Sequence, residues 1–183
     1  MIELAAGFGS ALAIALLVPR NIERKHNKTS KEWYNEYIKS NLCLAPPSIV
    51  FPIVWAILYI FMATAIGIWS LKPDDEMSGG NYIATWVLID FNLLFNLLWT
   101  LVFFSFRDKS WSIPVALADA VLIFGTAVTV GILFHLSSES NAWVFVLWWI
   151  YAAWTAFALL LTFAIWLCNR EGGLGIEYTQ LEM

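Results

Sequence analysis

Pro46-Pro47-Ser48-Ile49-Val50-Phe51-Pro52-Ile53-Val54-Trp55-Ala56-Ile57-Leu58-Tyr59 decides the fold of this chain. Proline suits the first turn of a helix, where the N–H it lacks would have no intrahelical partner. No formally charged residue occurs from Ser48 to Trp69. A helix opened by the proline pair is therefore apolar over about 20 residues, the length that crosses a bilayer.

Outward from this stretch the pattern recurs. The 183 residues are 60% hydrophobic and 13% charged, against roughly a quarter charged in ordinary soluble domains. Apolar runs of spanning length are read at residues 2–18, 46–71, 82–106, 111–136 and 142–169. Strands of a membrane barrel would need only about ten residues each, so helices are expected. The expected architecture is all-α, a polytopic membrane protein whose single domain, residues 1–183, is a five-transmembrane-helix bundle. Its first loop covers 19–45 and an acidic tail covers 170–183. The short connections leave no room for a second domain.

Lysine and arginine set the expected orientation. Arg20, Arg24, Lys25, Lys28, Lys31 and Lys39 lie in loop 1, Arg107 and Lys109 between spans 3 and 4, and Arg170 at the tail, whereas Lys72 stands alone on the opposite side. The positive-inside rule then makes loop 1 and the C-terminus cytoplasmic and the N-terminus non-cytoplasmic. Glu3 before the first apolar run and Arg20 after it are the wrong flanks for a cleaved signal peptide, so that run is read as a retained helix. The net charge of −4 draws on Asp74, Asp75 and Glu76 in loop 2 and on Glu171, Glu177 and Glu182 in the tail, and offers no surface for nucleic acid. Cys43 and Cys168 fall on the cytoplasmic side, where a disulfide is disfavoured, and the Asn27-Lys28-Thr29 sequon is expected to stay unmodified there. Gly7 and Gly9 in the first span permit close approach of another helix, with a homodimer as one option.

Within loop 1, Thr29 and Glu32 have capping-box spacing, and Trp33, Tyr34, Tyr37 and Ile38 gather on one side of the short helix that follows. Such a helix is either an aromatic anchor at the membrane interface or a lid over the bundle. Tryptophan is abundant at eleven residues, and Trp55, Trp99 and Trp154 lie too deep for an interfacial belt. Asn92, Asn96, Trp99 and Phe103 share one face of span 3, a stripe that should face protein and either bridge helices or meet a ligand. Asp90 and Asp119 lie within spans, where ionisable groups default to functional hypotheses, but Asp90 projects away from the asparagine face. His26 and His135 are on opposite sides of the membrane, so no metal site is expected, and no nucleophile elbow or glycine-rich phosphate loop supports soluble enzyme chemistry.

Taken together these residues resemble the TspO/MBR family, the translocator protein and its tryptophan-rich sensory relatives. Trp33-Tyr34 is similar to the family's WY before span 2. Pro46-Pro47, Phe51 and Val54-Trp55-Ala56-Ile57-Leu58-Tyr59 resemble its PPxWxFxxVWxxLY. Asn92-Leu93-Leu94-Phe95-Asn96-Leu97-Leu98-Trp99 with Phe103-Phe104 resembles QLxLNxxW and a trailing FF, and Tyr151-Ala152-Ala153-Trp154 with Phe157-Ala158 resembles the span 5 elements. Leu44, Ile49, Asn92, Leu101 and Ile150 depart from the family's usual tryptophan, tryptophan, glutamine, proline and proline.

The resemblance implies a pocket under loop 1 that takes bulky apolar ligands, the family's being porphyrins, haem and sterols. It implies ligand-binding roles for Trp33, Pro46, Pro47, Phe51, Trp55, Tyr59, Asn92, Asn96, Trp99, Tyr151, Trp154 and Phe157. The stretch from Phe163 to Arg170 lacks the tyrosine of the family's sterol pattern. The expected function is a membrane receptor or carrier for tetrapyrroles such as protoporphyrin or haem, bound as ligand with no cofactor required. Two alternatives stand beside it. One is a light-dependent porphyrin-degrading enzyme using Trp55 and Trp154; the other is a regulatory or structural membrane protein without transport activity.

Overall fold

The computed structural model describes residues 29–71, 79–137 and 142–170. The expected first span, Gly7 and Gly9, the basic stretch with Asn27, the loop 2 acids and the tail after Arg170 lie outside the described residues. Those described form a short helix α1 (Ser30–Trp33) that runs into a π-helical turn (Tyr34–Lys39), then α2 (Val50–Ser70), α3 (Gly79–Ser105), α4 (Ser112–Ser137) and α5 (Ala142–Arg170). Helices α2 to α5 are each long and apolar enough to cross a membrane. They account for the second to fifth expected spans.

Helix α2 starts at Val50 rather than at the proline pair. Proline pushes the residue before it away from helical geometry, which disfavours a start at Ala45 or Pro46. Pro46 and Pro47 instead enter a turn in which the Val50 N–H donates to the Pro47 carbonyl at 2.9 Å. Pro52 takes the first-turn position where a missing N–H costs nothing.

Helix α3 packs on α4, α4 on α5, and α5 on α2, while α2 meets α3 through larger side chains, with Trp69 stacked on Tyr82 at 5.3 Å and 5.7 Å from Trp86. The α4–α5 seam is built from small residues. Ser112, Ala116, Ala120 and Ala127 on one side and Ala152, Thr155 and Thr162 on the other are all buried, and lipid supplies no hydrophobic drive between helices, so close backbone approach and dispersion must hold them. Gly131 is the tightest point: a Cβ there would lie 3.1 Å from Trp148 and 3.2 Å from Trp149. The Trp148 indole N–H donates to the Ala127 carbonyl at 2.7 Å across the same seam.

The loop 1 helix covers the end of this bundle. Thr29 and Glu32 form the expected reciprocal capping box. Trp33, Tyr34 and Ile38 are then buried against Phe103, Ile113, Leu161 and Ile165, so the aromatic side of the segment faces protein. The Tyr34 hydroxyl donates to the Pro46 carbonyl at 3.0 Å and ties the lid to the entrance of α2. Burial pushes this phenol from 10.0 up to about 12. Because the folded state holds the proton more tightly, the contribution is complete below pH 10.0 and is lost as pH rises through about 12. Tyr34→Phe should cost about 1 kcal/mol and flatten that alkaline loss, measured by thermal unfolding in detergent across the range.

Candidate functional site

Each of the four long helices gives two side chains to one internal chamber near the lid. Phe51 and Trp55 come from α2, Asn96 and Trp99 from α3, Ala120 and Ile123 from α4, and Thr155 and Ala158 from α5. The volume is about 20 Å³. That is room for about one water, against several hundred Å³ for a drug-sized ligand. A pocket for bulky ligands was expected, and the cavity between these side chains is far smaller than one.

Behind the chamber wall lies a polar hub. Asn92 Nδ2 donates to Thr126 Oγ1 at 2.7 Å and to the Ile123 carbonyl at 2.9 Å, joining α3 to α4. The Tyr151 hydroxyl donates to Asn92 Oδ1, and Asn96 Nδ2 reaches the Tyr151 oxygen at 2.9 Å and the Asn92 carbonyl at 2.7 Å, joining α3 to α5. Asn92 and Asn96 lie one turn apart, so both enter the same interface. The bridging reading of the asparagine stripe holds for Asn92, which is 0% exposed and does not line the chamber.

Asn96 and Trp99 do line it, and each leaves one polar atom without a partner, Asn96 Oδ1 as acceptor and Trp99 Nε1 as donor. Unpaired buried polar atoms cost roughly 1–3 kcal/mol each, which gives a polar guest something to recover. The remaining expected residues surround this centre. Tyr59 packs on Trp55 with ring centroids 5.6 Å apart, Trp154 stands 6.3 Å from Phe51 and 5.1 Å from Phe157, and Tyr151 sits in the hub. Trp33 and Pro46 belong to the lid and its tether, and Pro47 is exposed in the turn. The structure thus brings Phe51, Trp55, Asn96 and Trp99 to the chamber itself.

Of the small contributors to the chamber, only Ala158 belongs to a sequence element named above. Ala120, Ile123, Thr155 and Ala158 line the chamber because the small-residue seam passes it, and the spacing Ser112, Ala116, Ala120 is the trace that marks that seam. Asp119 is buried with Oδ2 unpartnered, whereas Asp90 is exposed on the outer side of α3. Arg107, counted above among the charges between spans 3 and 4, is only 4% exposed.

A model of the TspO/MBR family matches residues 6–167 of this chain. The chain is also similar to a tryptophan-rich sensory protein of Cereibacter sphaeroides, 29% identical over 144 residues that cover 79% of this chain and 74% of the relative.

Proposed function

The chain belongs to the TspO/MBR family of multi-pass membrane proteins, and from that premise we propose that it is a sensory or binding protein for tetrapyrroles such as protoporphyrin or haem, taken into the chamber beneath loop 1. The observation that carries this reading is the pairing of an unsatisfied acceptor and donor, Asn96 Oδ1 and Trp99 Nε1, in a chamber otherwise walled by rings and small side chains. Flat apolar ligands stack on indole faces, and a few fixed polar atoms orient them. At about 20 Å³ the chamber is too small for such a ligand without rearrangement. Entry requires loop 1 to lift and the aromatic walls to part. Lys31, Lys39, Arg107, Lys109 and Arg170 all sit at the lidded end, which by the positive-inside rule makes that end cytoplasmic.

Titrating the detergent-purified chain with protoporphyrin while following tryptophan fluorescence tests the reading. The parent should show saturable quenching, and the double variant Trp55→Phe, Trp154→Phe should bind about tenfold more weakly, as expected from two weakened ring contacts of roughly 0.5–1.5 kcal/mol each. Equal affinity in parent and double variant removes the chamber from the function.

A further inference from the structure

Asp119 lies within α4 and is 7% exposed, and among the described residues no donor meets its Oδ2. A carboxylate without a partner inside a membrane-spanning helix is costly. The buried cation of this region, Arg107, is held at the lid, with Ser30 and Trp33 among its contacts. Asp119 is left to a partner from outside the chain.

Helix register places this side chain. Asn92 on α3 is bonded to Thr126 on α4, and the two helices run antiparallel across the short connection from Ser105 to Ser112. Seven residues toward the lid from that bond lead to Trp99 on α3 and to Asp119 on α4. Such a step is about two turns and keeps the helix face, so Asp119 faces α3 at the level of Trp99. Trp99 lines the chamber, and so do Ala120, the next residue on α4, and Ile123, one turn from Asp119. Asp119 therefore stands at the α3–α4 corner of the chamber.

The orphaned atoms at this corner are unevenly matched. Asp119 Oδ2 and Asn96 Oδ1 are acceptors, and Trp99 Nε1 is the single donor beside them. No lysine, arginine or histidine lines the chamber. We propose that Asp119 is a counter-ion subsite of the chamber, engaged by a protonated nitrogen on a flat aromatic ligand. The proposal rests on the chamber reading above and adds the chemical class that the site prefers. A positively charged N–H gives the carboxylate a charge-assisted bond, shorter and stronger than a neutral one. The rings of Phe51, Trp55 and Trp99 favour the same guest, because an aromatic face attracts a cation more strongly once water is excluded. A tetrapyrrole meets this demand through its ring nitrogens, which carry N–H groups and accept a further proton. A neutral guest of the same shape stacks on the rings and leaves Asp119 unpaired.

The probes are 9-aminoacridine, protonated at neutral pH, and acridine, which has the same fused rings and is uncharged there. Each is titrated against the full chain in a non-ionic detergent by tryptophan quenching, with protoporphyrin alongside. The parent should bind 9-aminoacridine about tenfold more tightly than acridine, the scale of a desolvated charge contact. Asp119→Asn, which keeps the shape and drops the charge, should bring the two within about twofold while leaving acridine affinity unchanged. Asp90→Asn removes a charge from the exposed outer side of α3 and should keep the full preference. Equal binding of the two acridines by the parent, a preference surviving undiminished in Asp119→Asn, or its loss in Asp90→Asn overturns the assignment. Saturable quenching by protoporphyrin in any of those cases leaves the chamber reading intact. Should Asp119→Asn not fold, Asp119→Ser decides. If no probe quenches the parent, the chamber reading falls and takes the subsite with it.

Discussion

Asn92→Leu should lower the unfolding stability of the bundle by about 3 kcal/mol, the scale of several lost interhelical bonds and the orphaned groups they leave. Leucine has the branching and heavy-atom count of asparagine, so the substitution removes polar contacts without opening a cavity. The side chain gives bonds to Thr126 and to the Ile123 carbonyl on α4 and accepts one from Tyr151 on α5. Each interhelical bond in a membrane bundle averages about 0.6 kcal/mol and reaches about 1.7. The deletion also leaves the Tyr151 hydroxyl without its acceptor in a site that is 0% exposed. Unfolding in mixed micelles with increasing SDS, followed by circular dichroism, gives the number. Tyr151→Phe removes only part of the hub and should cost about 1 kcal/mol. A loss for Asn92→Leu no greater than that of Tyr151→Phe would mean the three helices are not joined through this residue.

Gly131→Leu should destabilise the bundle by about 3 kcal/mol, the upper range for forcing extra carbons into a packed interior. The first added carbon already meets Trp148 at 3.1 Å and Trp149 at 3.2 Å. Trp148 cannot yield cheaply, because its ring is fully buried and its N–H is committed to the Ala127 carbonyl. The α4–α5 seam must therefore open. Gly125 on the same helix provides the contrast, since nothing lies within 4 Å of a Cβ placed there. Gly125→Leu should stay within about 0.5 kcal/mol of the parent. Melting temperatures of the two variants in the same detergent settle the comparison, and similar losses at both positions would dissociate the effect from the tryptophan contact.

Local chemistry explains which parts of this molecule could be read from residues alone. The Thr29–Glu32 capping box and the shared face of Asn92, Asn96 and Trp99 depend on helical spacing, and both stand as expected. The α2 start was missed because Pro46-Pro47 and Pro52 are both acceptable openings on local grounds, and only the turn at Pro47 selects the second. The chamber was legible in its aromatic members, since deep tryptophans are conspicuous, but not in its size. Volume depends on how far Phe51, Trp55 and Trp99 lean inward, and that is set by four helices at once. The burial of Arg107 was hidden for a related reason. A loop charge counts as solvated until a separate segment, here α1, is found lying over it.

The uneven helix contacts give the molecule a mechanical asymmetry. Helices α3, α4 and α5 form a stiff block, because the small-residue seam and the Asn92 hub both have to break before any of them can part. Helix α2 meets the block along α5 by backbone approach and at α3 and α4 through Trp69, and its entrance is tethered to the lid by Tyr34. The far end of α2 is clamped by Trp69 between Tyr82, Trp86 and Phe134, so its two ends are held by unlike means, a ring cluster at one and a single phenol-to-carbonyl bond at the other.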